Sequence, residues 1–161
     1  MKYPLSFTLN GGNVDVLVKP TDTLLDVLKE KLNVQSPKRG CDTGDCGSCT
    51  VLLNGNPIRS CLTLALTVEG KKIQTVESFA SKEGKLHPLQ QAFHDHGAAQ
   101  CGFCTPGMLV SAKALLEQNP HPNRKEIVEA ISGHLCRCGT YLEVIEAIQE
   151  VVGQSGKERG K

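Results

Sequence analysis

The sequence lacks an excess of charge of either sign. Its 161 residues include 18 Lys and Arg against 17 Asp and Glu, which gives a formal net charge of +1 at pH 7. Only the C-terminal segment, residues 157–161, is locally basic. Because binding to nucleic acid depends on clustered positive charge, the composition predicts no nucleic-acid partner.

Long hydrophobic runs are also missing. From Met1 to Pro20, apolar and polar residues roughly alternate, and no run reaches the length of a signal-peptide core or a membrane span. We therefore expect a soluble, cytoplasmic protein that makes no membrane contact. Since that compartment keeps thiols reduced, its cysteines are expected to be metal ligands rather than disulfides.

A recognisable catalytic constellation is missing as well. The sequence shows no nucleophile paired with a base and no carboxylate dyad. A chain of 161 residues is too short to hold a flavin domain and a substrate domain in addition, so larger chemistry must lie on partners. The histidines show no ligand-like spacing, and surface or capping roles are expected for them. They are His87, His94, His96, His121 and His134.

Cysteine, in contrast, occurs eight times. Cys41, Cys46 and Cys49 follow a Cys-x4-Cys-x2-Cys pattern in a glycine-rich loop, and Cys61 lies in the apolar stretch beyond it. This is the ligand spacing of a plant-type 2Fe-2S cluster, in which two irons each take two thiolates. Glycines in segment 40–47 would let main-chain N–H groups approach such an anionic core closely.

Two other readings exist for these four cysteines, a zinc site or a pair of disulfides. Zinc sites usually show two close pairs of ligands, whereas here Cys41 stands apart from Cys46 and Cys49 and the last cysteine is single. The spacing therefore favours an iron–sulfur cluster.

The remaining four cysteines form two close pairs. Cys101 and Cys104 are spaced as Cys-x2-Cys, and Cys136 and Cys138 as Cys-x-Cys. Spacing alone suits a structural zinc and an iron cluster about equally. Each pair precedes a predicted helix, and two helix N-termini would direct free N–H groups at one anionic site, which favours a thiolate cluster.

Hydrophobic periodicity and turn signals divide the chain into a strand-rich part and a helical part. Two hairpins, one helix and a last strand are predicted first. The strands cover residues 5–9, 14–18, 50–53, 57–62 and about 72–76, and the helix covers about 21–33. Four amphipathic helices follow, with start signals at Pro88, Thr105, Asn123 and Thr140 and end signals near Gly97, Asn119, Gly133 and Val152.

These elements predict an α+β protein of two small domains. An N-terminal domain over residues 1–77 would have the β-grasp, ferredoxin-like fold, a name that follows from the cysteine motif rather than from the strand pattern. A polar linker, residues 78–87, would join it to an all-α four-helix bundle over residues 88–153. Residues 154–161 are expected to form a disordered tail.

Two segments of the helical part resemble the small iron–sulfur subunit of the molybdenum hydroxylases, the xanthine oxidase family. They are Gln100-Cys101-Gly102-Phe103-Cys104-Thr105-Pro106-Gly107 and Leu135-Cys136-Arg137-Cys138, placed downstream of the ferredoxin-type loop. The resemblance runs from about Leu5 to Val152. It implies that each domain binds one 2Fe-2S cluster, so that all eight cysteines would be metal ligands.

The resemblance also implies partners and a role. Gln100 and Cys138 would approach the pterin of a molybdenum cofactor held by a large subunit, and the first cluster would face FAD on a medium subunit or an external acceptor. The chain would then be the electron-transfer subunit of an oxidoreductase, assembled as a dimer of heterotrimers. A stand-alone two-cluster carrier and a zinc-stabilised interaction module without redox function are the alternative readings.

Overall fold

The computed structural model of the chain describes residues 1–81 and 83–158. A mixed five-stranded sheet comes first in the chain, and helices follow it. The predicted α+β class is therefore confirmed.

The sheet is built from two hairpins and one central strand. Strands β1 (Tyr3–Leu9) and β2 (Gly12–Val18) pair antiparallel, and so do β3 (Thr50–Leu53) and β4 (Asn56–Arg59). Strand β5 (Lys72–Gln74) lies between the hairpins, parallel to β1 and antiparallel to β3, which gives the order β2-β1-β5-β3-β4. Both predicted hairpins are thus confirmed.

The strand that was predicted to reach residue 62 ends earlier. β4 ends at Arg59, and Cys61 lies just past it in a 3₁₀ turn, Ser60–Leu62. The last predicted strand is also shorter, because another 3₁₀ turn, Val76–Ser78, follows β5. Cys61 is therefore held by a turn that is anchored to the end of a strand.

The predicted helix between the hairpins is present. Helix α1 (Leu24–Asp26) begins at Thr23, whose hydroxyl accepts a hydrogen bond from Asp26 N, and it continues as a π-helical segment, Val27–Lys31. Leu24 and Leu28 of these turns pack on the sheet. Asn33 ends the run with a left-handed φ of 54°.

The helical part contains α2 (Pro88–Asp95), α3 (Thr105–Gln118), α4 (Arg124–Ile131) and α5 (Tyr141–Glu158). The predicted capping box of Asn123 and Glu126 is present at the start of α4. Helix α5 continues to Glu158, so it is longer than the sequence predicted, and residues 159–161 of the predicted tail lie outside the described residues. Among the described residues, no helix combines the length and the apolar character that crossing a membrane requires.

Strand β3 joins the two parts, because its neighbouring side chains enter different cores. Val51 packs in the core between the sheet and α1, whereas Leu52 packs in the core among α2–α5. Consecutive residues of a strand point to opposite faces, so one strand serves both cores. Helix α3 packs on β3 and β4 in consequence, which sets the helical part against the loop that precedes β3.

Candidate metal centre

The first cysteine set gathers at the loop before β3 and the turn after β4. Cys49 and Cys61 are buried together against Leu25 of α1, while Cys41 and Cys46 are half-buried. The loop therefore presents two thiols to the protein interior and two toward its surface.

Main-chain N–H groups of the loop point at the thiol of Cys41. Cys41 Sγ accepts hydrogen bonds from Thr43 N and Cys46 N, each at 3.4 Å. Gly44 makes this tight path possible, because its φ of +87° lies in the left-handed region that glycine adopts without strain. Converging N–H groups of this kind stabilise negative charge on sulfur.

The electrostatics differ sharply between the thiols of this set. Hydrogen bonds from Thr43, and from the main chain of Cys46, lower the pKa of Cys41 to about 6. Burial, and then the neighbouring Cys49 thiol, raise the pKa of Cys61 to about 12. Because the thiolate is the form that binds metal, Cys41 is prepared for ligation, whereas Cys61 needs a cation to ionise.

The second cysteine set lies at the N-termini of α3 and α5, as predicted. Cys104 is the residue immediately before α3 and is buried, Cys101 is exposed, and Cys136 and Cys138 are half-buried in the loop before α5. Cys104 and Cys136 are neighbours, since the Cys136 thiol contributes to the raised pKa of Cys104.

Within this second set, one thiol again ionises more easily than its neighbour. Burial raises the pKa of Cys104 to about 12. Burial acts in the same direction on Cys136 and is the largest single effect, but hydrogen bonds with Thr140, Cys104 and the Gly139 main chain together outweigh it and lower the pKa of Cys136 to about 7. The Thr140 hydroxyl, predicted as a helix cap, lies 3.4 Å from Cys136 Sγ.

A cleft of about 380 Å³ separates the two sets. Cys46 of the first set and Cys101 and Cys104 of the second set line this open cleft, together with five other residues. The lining residues are Gly40, Cys46, Ser48, Cys101, Phe103, Cys104, Leu135 and Arg137. The two sets are therefore neighbours across one small space and not isolated at opposite ends of the chain.

Direct hydrogen bonds also join the two loops. Leu135 N donates to Cys46 O at 3.0 Å, which links a residue of the first set to the residue before Cys136. Arg59, half-buried at the end of β4, donates to Gly44 O at 3.2 Å and to Gly133 O at 2.7 Å. These bonds hold the loop around Cys46 against the loop around Cys136.

His134 lies at the centre of this junction. Its side chain is 2% exposed, its Nε2 shares a hydrogen bond of 2.8 Å with Ser111 Oγ, and its ring contacts the main chain of Gly47. Burial first, and then the charge of Arg59, lower the pKa of His134 to about 4, so the imidazole is neutral at pH 7. The expectation that it would serve at the surface or as a cap is wrong for His134, but His87 does cap α2.

The sequence offered little signal for either of these junction residues. Arg59 ends a strand and binds main-chain carbonyls. Because every residue has a carbonyl, the residue types at its partner positions give no sequence signal for this role. His134 could have drawn attention only through its place two residues before Cys136.

The donors at each thiol set agree with a thiolate cluster rather than with a single metal ion. In the described part of the chain, His, Cys, Asp and Glu form no group of three or more that could hold one metal ion. A 2Fe-2S cluster has a different requirement, because each iron takes only two protein thiolates. The N–H groups at Cys41 Sγ and the hydroxyl at Cys136 Sγ provide donors to anionic sulfur, which agrees with such a cluster.

Comparison with protein families gives two matches that together cover most of the chain. Residues 7–80 match the family model described as a 2Fe-2S iron-sulfur cluster binding domain. Residues 75–149 match the model described as a [2Fe-2S] binding domain. The chain therefore contains two domains of the 2Fe-2S-binding type.

Individual relatives match over nearly the whole length. The nicotine 6-hydroxylase small subunit of Paenarthrobacter nicotinovorans is 47% identical over 99% of this chain and 95% of its own. The nicotinate dehydrogenase small FeS subunit of Eubacterium barkeri is 44% identical over 94% of this chain and 96% of its own. Among solved structures, quinoline 2-oxidoreductase from Pseudomonas putida 86 matches with a TM-score of 0.92 and 46% identity, over 99% of this chain and 98% of that chain.

Proposed function

Because this chain belongs to the family of small iron–sulfur subunits of the molybdenum hydroxylases, we propose that its two thiol sets form one electron relay inside a larger oxidoreductase. The chain is an electron-transfer subunit and carries no substrate chemistry of its own. The single observation that carries the proposal is the hydrogen-bonded contact of the two sets, Leu135 N to Cys46 O, across one shared cleft.

The ligands are assigned set by set. Cys41, Cys46, Cys49 and Cys61 would hold the first 2Fe-2S cluster. The second would be held by Cys101, Cys104, Cys136 and Cys138. When bound, each cluster accepts and donates one electron at a time at a potential that the protein environment sets.

The residues between the sets have distinct tasks in this relay. The Leu135–Cys46 hydrogen bond supplies a short main-chain connection, and Phe103 and Leu135 line the cleft with apolar groups. Arg59 places a positive charge beside the main chain of both loops, where it offsets thiolate charge. The chain thus holds the two centres close together in a fixed arrangement.

Exposed apolar side chains near each set support two separate docking faces. Beside the second set, Phe103 is 44% exposed and Leu135 61% exposed, and Gln100 is exposed as well. We assign this face to the large molybdopterin-binding subunit, with Gln100 and Cys138 toward the pterin. Beside the first set, Leu62 is 60% and Leu64 49% exposed, and we assign that face to an FAD-binding subunit.

The proposal also covers the domain boundaries of the chain, the arrangement of its helices and its assembly with partner subunits. We place the domain boundaries at residues 1–77 and 88–153 with a linker at 78–87, and we infer that the second domain is a four-helix bundle. The packing of α2 on α3 and α5, and of α4 on the same two helices, supports the bundle. A cytoplasmic dimer of heterotrimers is the assembly that we propose.

The relatives also suggest a substrate class for the whole complex. Three of the similar proteins are named for nicotine, nicotinate and quinoline, which are aromatic nitrogen heterocycles. We propose that the partner subunit of this chain oxidises a compound of that class.

Native purification with metal analysis tests the proposal. We expect the chain to be isolated with a large molybdenum-containing chain and a flavin-containing chain, and to carry about four irons and four acid-labile sulfides. Bleaching of the visible absorption by nitrogen heterocycles but not by aldehydes would support the substrate class. Isolation as a free, iron-loaded monomer would indicate a stand-alone carrier, and zinc without iron would overturn the redox role.

A further inference from the structure

The buried ring of His134 fills the contact between the two thiol-bearing loops. On one side lies Gly47 of the first loop, where an added Cβ would come 2.5 Å from Nδ1. Gly107, in the first turn of α3, lies against the same Nδ1–Cε1 edge of the ring, where an added Cβ would come 3.2 Å from Cε1. Main chain from both parts of the molecule therefore contacts the imidazole.

The two glycines also contact each other. A Cβ at Gly107 would lie 2.6 Å from Gly47 O, so neither position has room for a side chain. The ring consequently packs beside this direct contact and fills the remaining space where the first loop meets α3, so its removal would leave a cavity at the junction.

Only one ring nitrogen of His134 has a hydrogen-bond partner. Nε2 is bonded to Ser111 Oγ at 2.8 Å, while Nδ1 is buried without a partner among the described residues. A buried polar atom without a partner costs stability that an apolar side chain would retain. A ring that is retained at this cost therefore has a role in the geometry of the junction.

The residues that follow His134 connect the ring to both thiol sets. The His134 carbonyl accepts a hydrogen bond from Tyr141 Oη at 3.1 Å, and Cys136 N donates to the same hydroxyl at 2.8 Å. Between them, Leu135 N donates to Cys46 O. The position of the ring therefore determines where Leu135 and Cys136 lie relative to Cys46.

Resting on the proposed function, in which both sets hold clusters, we propose that His134 is a positioning residue for electron transfer between them. Its Nδ1–Cε1 edge packs against Gly47 and Gly107 where the first loop meets α3, and its bond to Ser111 prevents the ring from turning. Together they keep Cys46 O within reach of Leu135 N. Electron tunnelling and magnetic dipolar interaction both weaken steeply with separation, so a displaced ring changes both.

Magnetic interaction between the clusters is the measurement that tests this role. The protein, isolated with its natural partner chains, is fully reduced with dithionite, and the splitting of the EPR signals by the neighbouring reduced cluster is recorded. The variants are His134→Ala, His134→Gln, in which an amide can reach Ser111, and Ser111→Ala. His87→Ala is the matched control, because it removes an imidazole that caps α2 and is hydrogen-bonded to Leu89 N rather than to Ser111.

We expect the parent protein and His87→Ala to show the same splitting, His134→Ala and Ser111→Ala to show a reduced or lost splitting, and His134→Gln to restore it. Iron and sulfide content must remain at the parent level in the variants that are compared. If His134→Ala loses a cluster, the splitting in Ser111→Ala tests the inference instead, because that substitution changes no backbone contact of the ring.

Two results would overturn the inference alone. One is an unchanged splitting in Ser111→Ala, or in a fully loaded His134→Ala, and the other is a parent protein that carries both clusters without any magnetic interaction between them. A parent protein without iron is a different result, because it overturns the proposed function itself.

Discussion

Arg59 Nη2 donates a hydrogen bond of 2.7 Å to the carbonyl of Gly133, which lies 74 positions further along the chain. The same guanidinium donates to Thr50 Oγ1 and Gly44 O. One side chain thus ties the end of a strand to both thiol-bearing loops, and its five-donor fork suits this task better than an ammonium group does.

Replacing Arg59 by Met should weaken the junction and shift the cluster potentials. Loss of the charge-assisted bonds is expected to cost roughly 3 kcal/mol, which corresponds to a fall in Tm of roughly 6–12 °C for a chain of this size. Removing a positive charge disfavours the more negative reduced state, so the potentials should fall in a redox titration followed by EPR.

Two further variants separate charge from geometry at this position. Arg59→Lys should leave the reduction potentials of the clusters close to those of the parent protein, because the positive charge remains. It should lower the stability, because an ammonium cannot reach three separated acceptors. Arg124→Met, at an exposed arginine on α4, should change neither property. Equal potentials in Arg59→Met and the parent would show that the guanidinium has no electrostatic effect on the clusters.

Single cysteine substitutions should remove one cluster at a time. Cys46→Ser is expected to lose the first cluster and Cys104→Ser the second, so each variant should contain about two irons and show one of two EPR signals. Loss of both signals from either substitution would contradict two separate ligand sets. The Tm of each variant, measured alongside, reports how much each cluster stabilises the chain.

Gly47→Ala should be far more damaging than a comparable change elsewhere. The residue has a φ of +72°, and an added Cβ would also collide with His134 Nδ1 and the Gly133 carbonyl. Gly55→Ala is the matched control, because its φ is +84° with open space around it. The control should lose only the stability that backbone strain costs, about 1–2 kcal/mol. Gly47→Ala should in addition fail to retain iron. Equal Tm values for the two variants would refute the collision.

Stability should depend on pH through the capping histidine of α2. His87 Nδ1 accepts a hydrogen bond from Leu89 N, which requires the unprotonated nitrogen. Burial, followed by the Lys113 charge, lowers the pKa of His87 below its ordinary value of 6.5. The unfolded chain therefore binds the proton first, so this contribution is complete above about pH 6.5 and is lost as the pH falls below it.

The variant His87→Asn isolates that contribution, because asparagine caps a helix without titrating in this range. Its Tm should fall less than that of the parent protein between pH 7.5 and pH 5.5. Since burial lowers the pKa of His134 as well, some pH dependence should remain in both proteins. If the Tm of the parent and that of His87→Asn changed equally with pH, His87 would not contribute to the pH dependence of stability.

Gln100→Ala should affect the assembled complex and not the isolated fold. The side chain is exposed, so stability is expected to change by no more than about 0.5 kcal/mol. Reduction of the clusters by substrate should slow, because the proposed contact of the amide with the pterin would be lost. Gln91→Ala, at an exposed glutamine of α2, is the control, and equal reduction rates in both variants would withdraw Gln100 from the pterin site.

Much of this protein follows from sequence alone, because the determining signals are local. Asn-Gly turns predict both hairpins, the box of Asn123 and Glu126 predicts the start of α4, and the Cys-x4-Cys-x2-Cys spacing predicts the first ligand set. For the second set, local spacing left zinc and iron equally plausible, and the predicted helix N-termini together with the resemblance to a family separated them.

The tertiary structure alone decided how the two thiol sets meet. Arg59 and Leu135 bind main-chain carbonyls, and His134 packs against the main chain of Gly47 and Gly107, so the partners are backbone groups that every residue carries. Such contacts leave no pattern in the sequence. They arise because β3 turns one side chain into each core and so brings residues that are far apart in the chain into one junction.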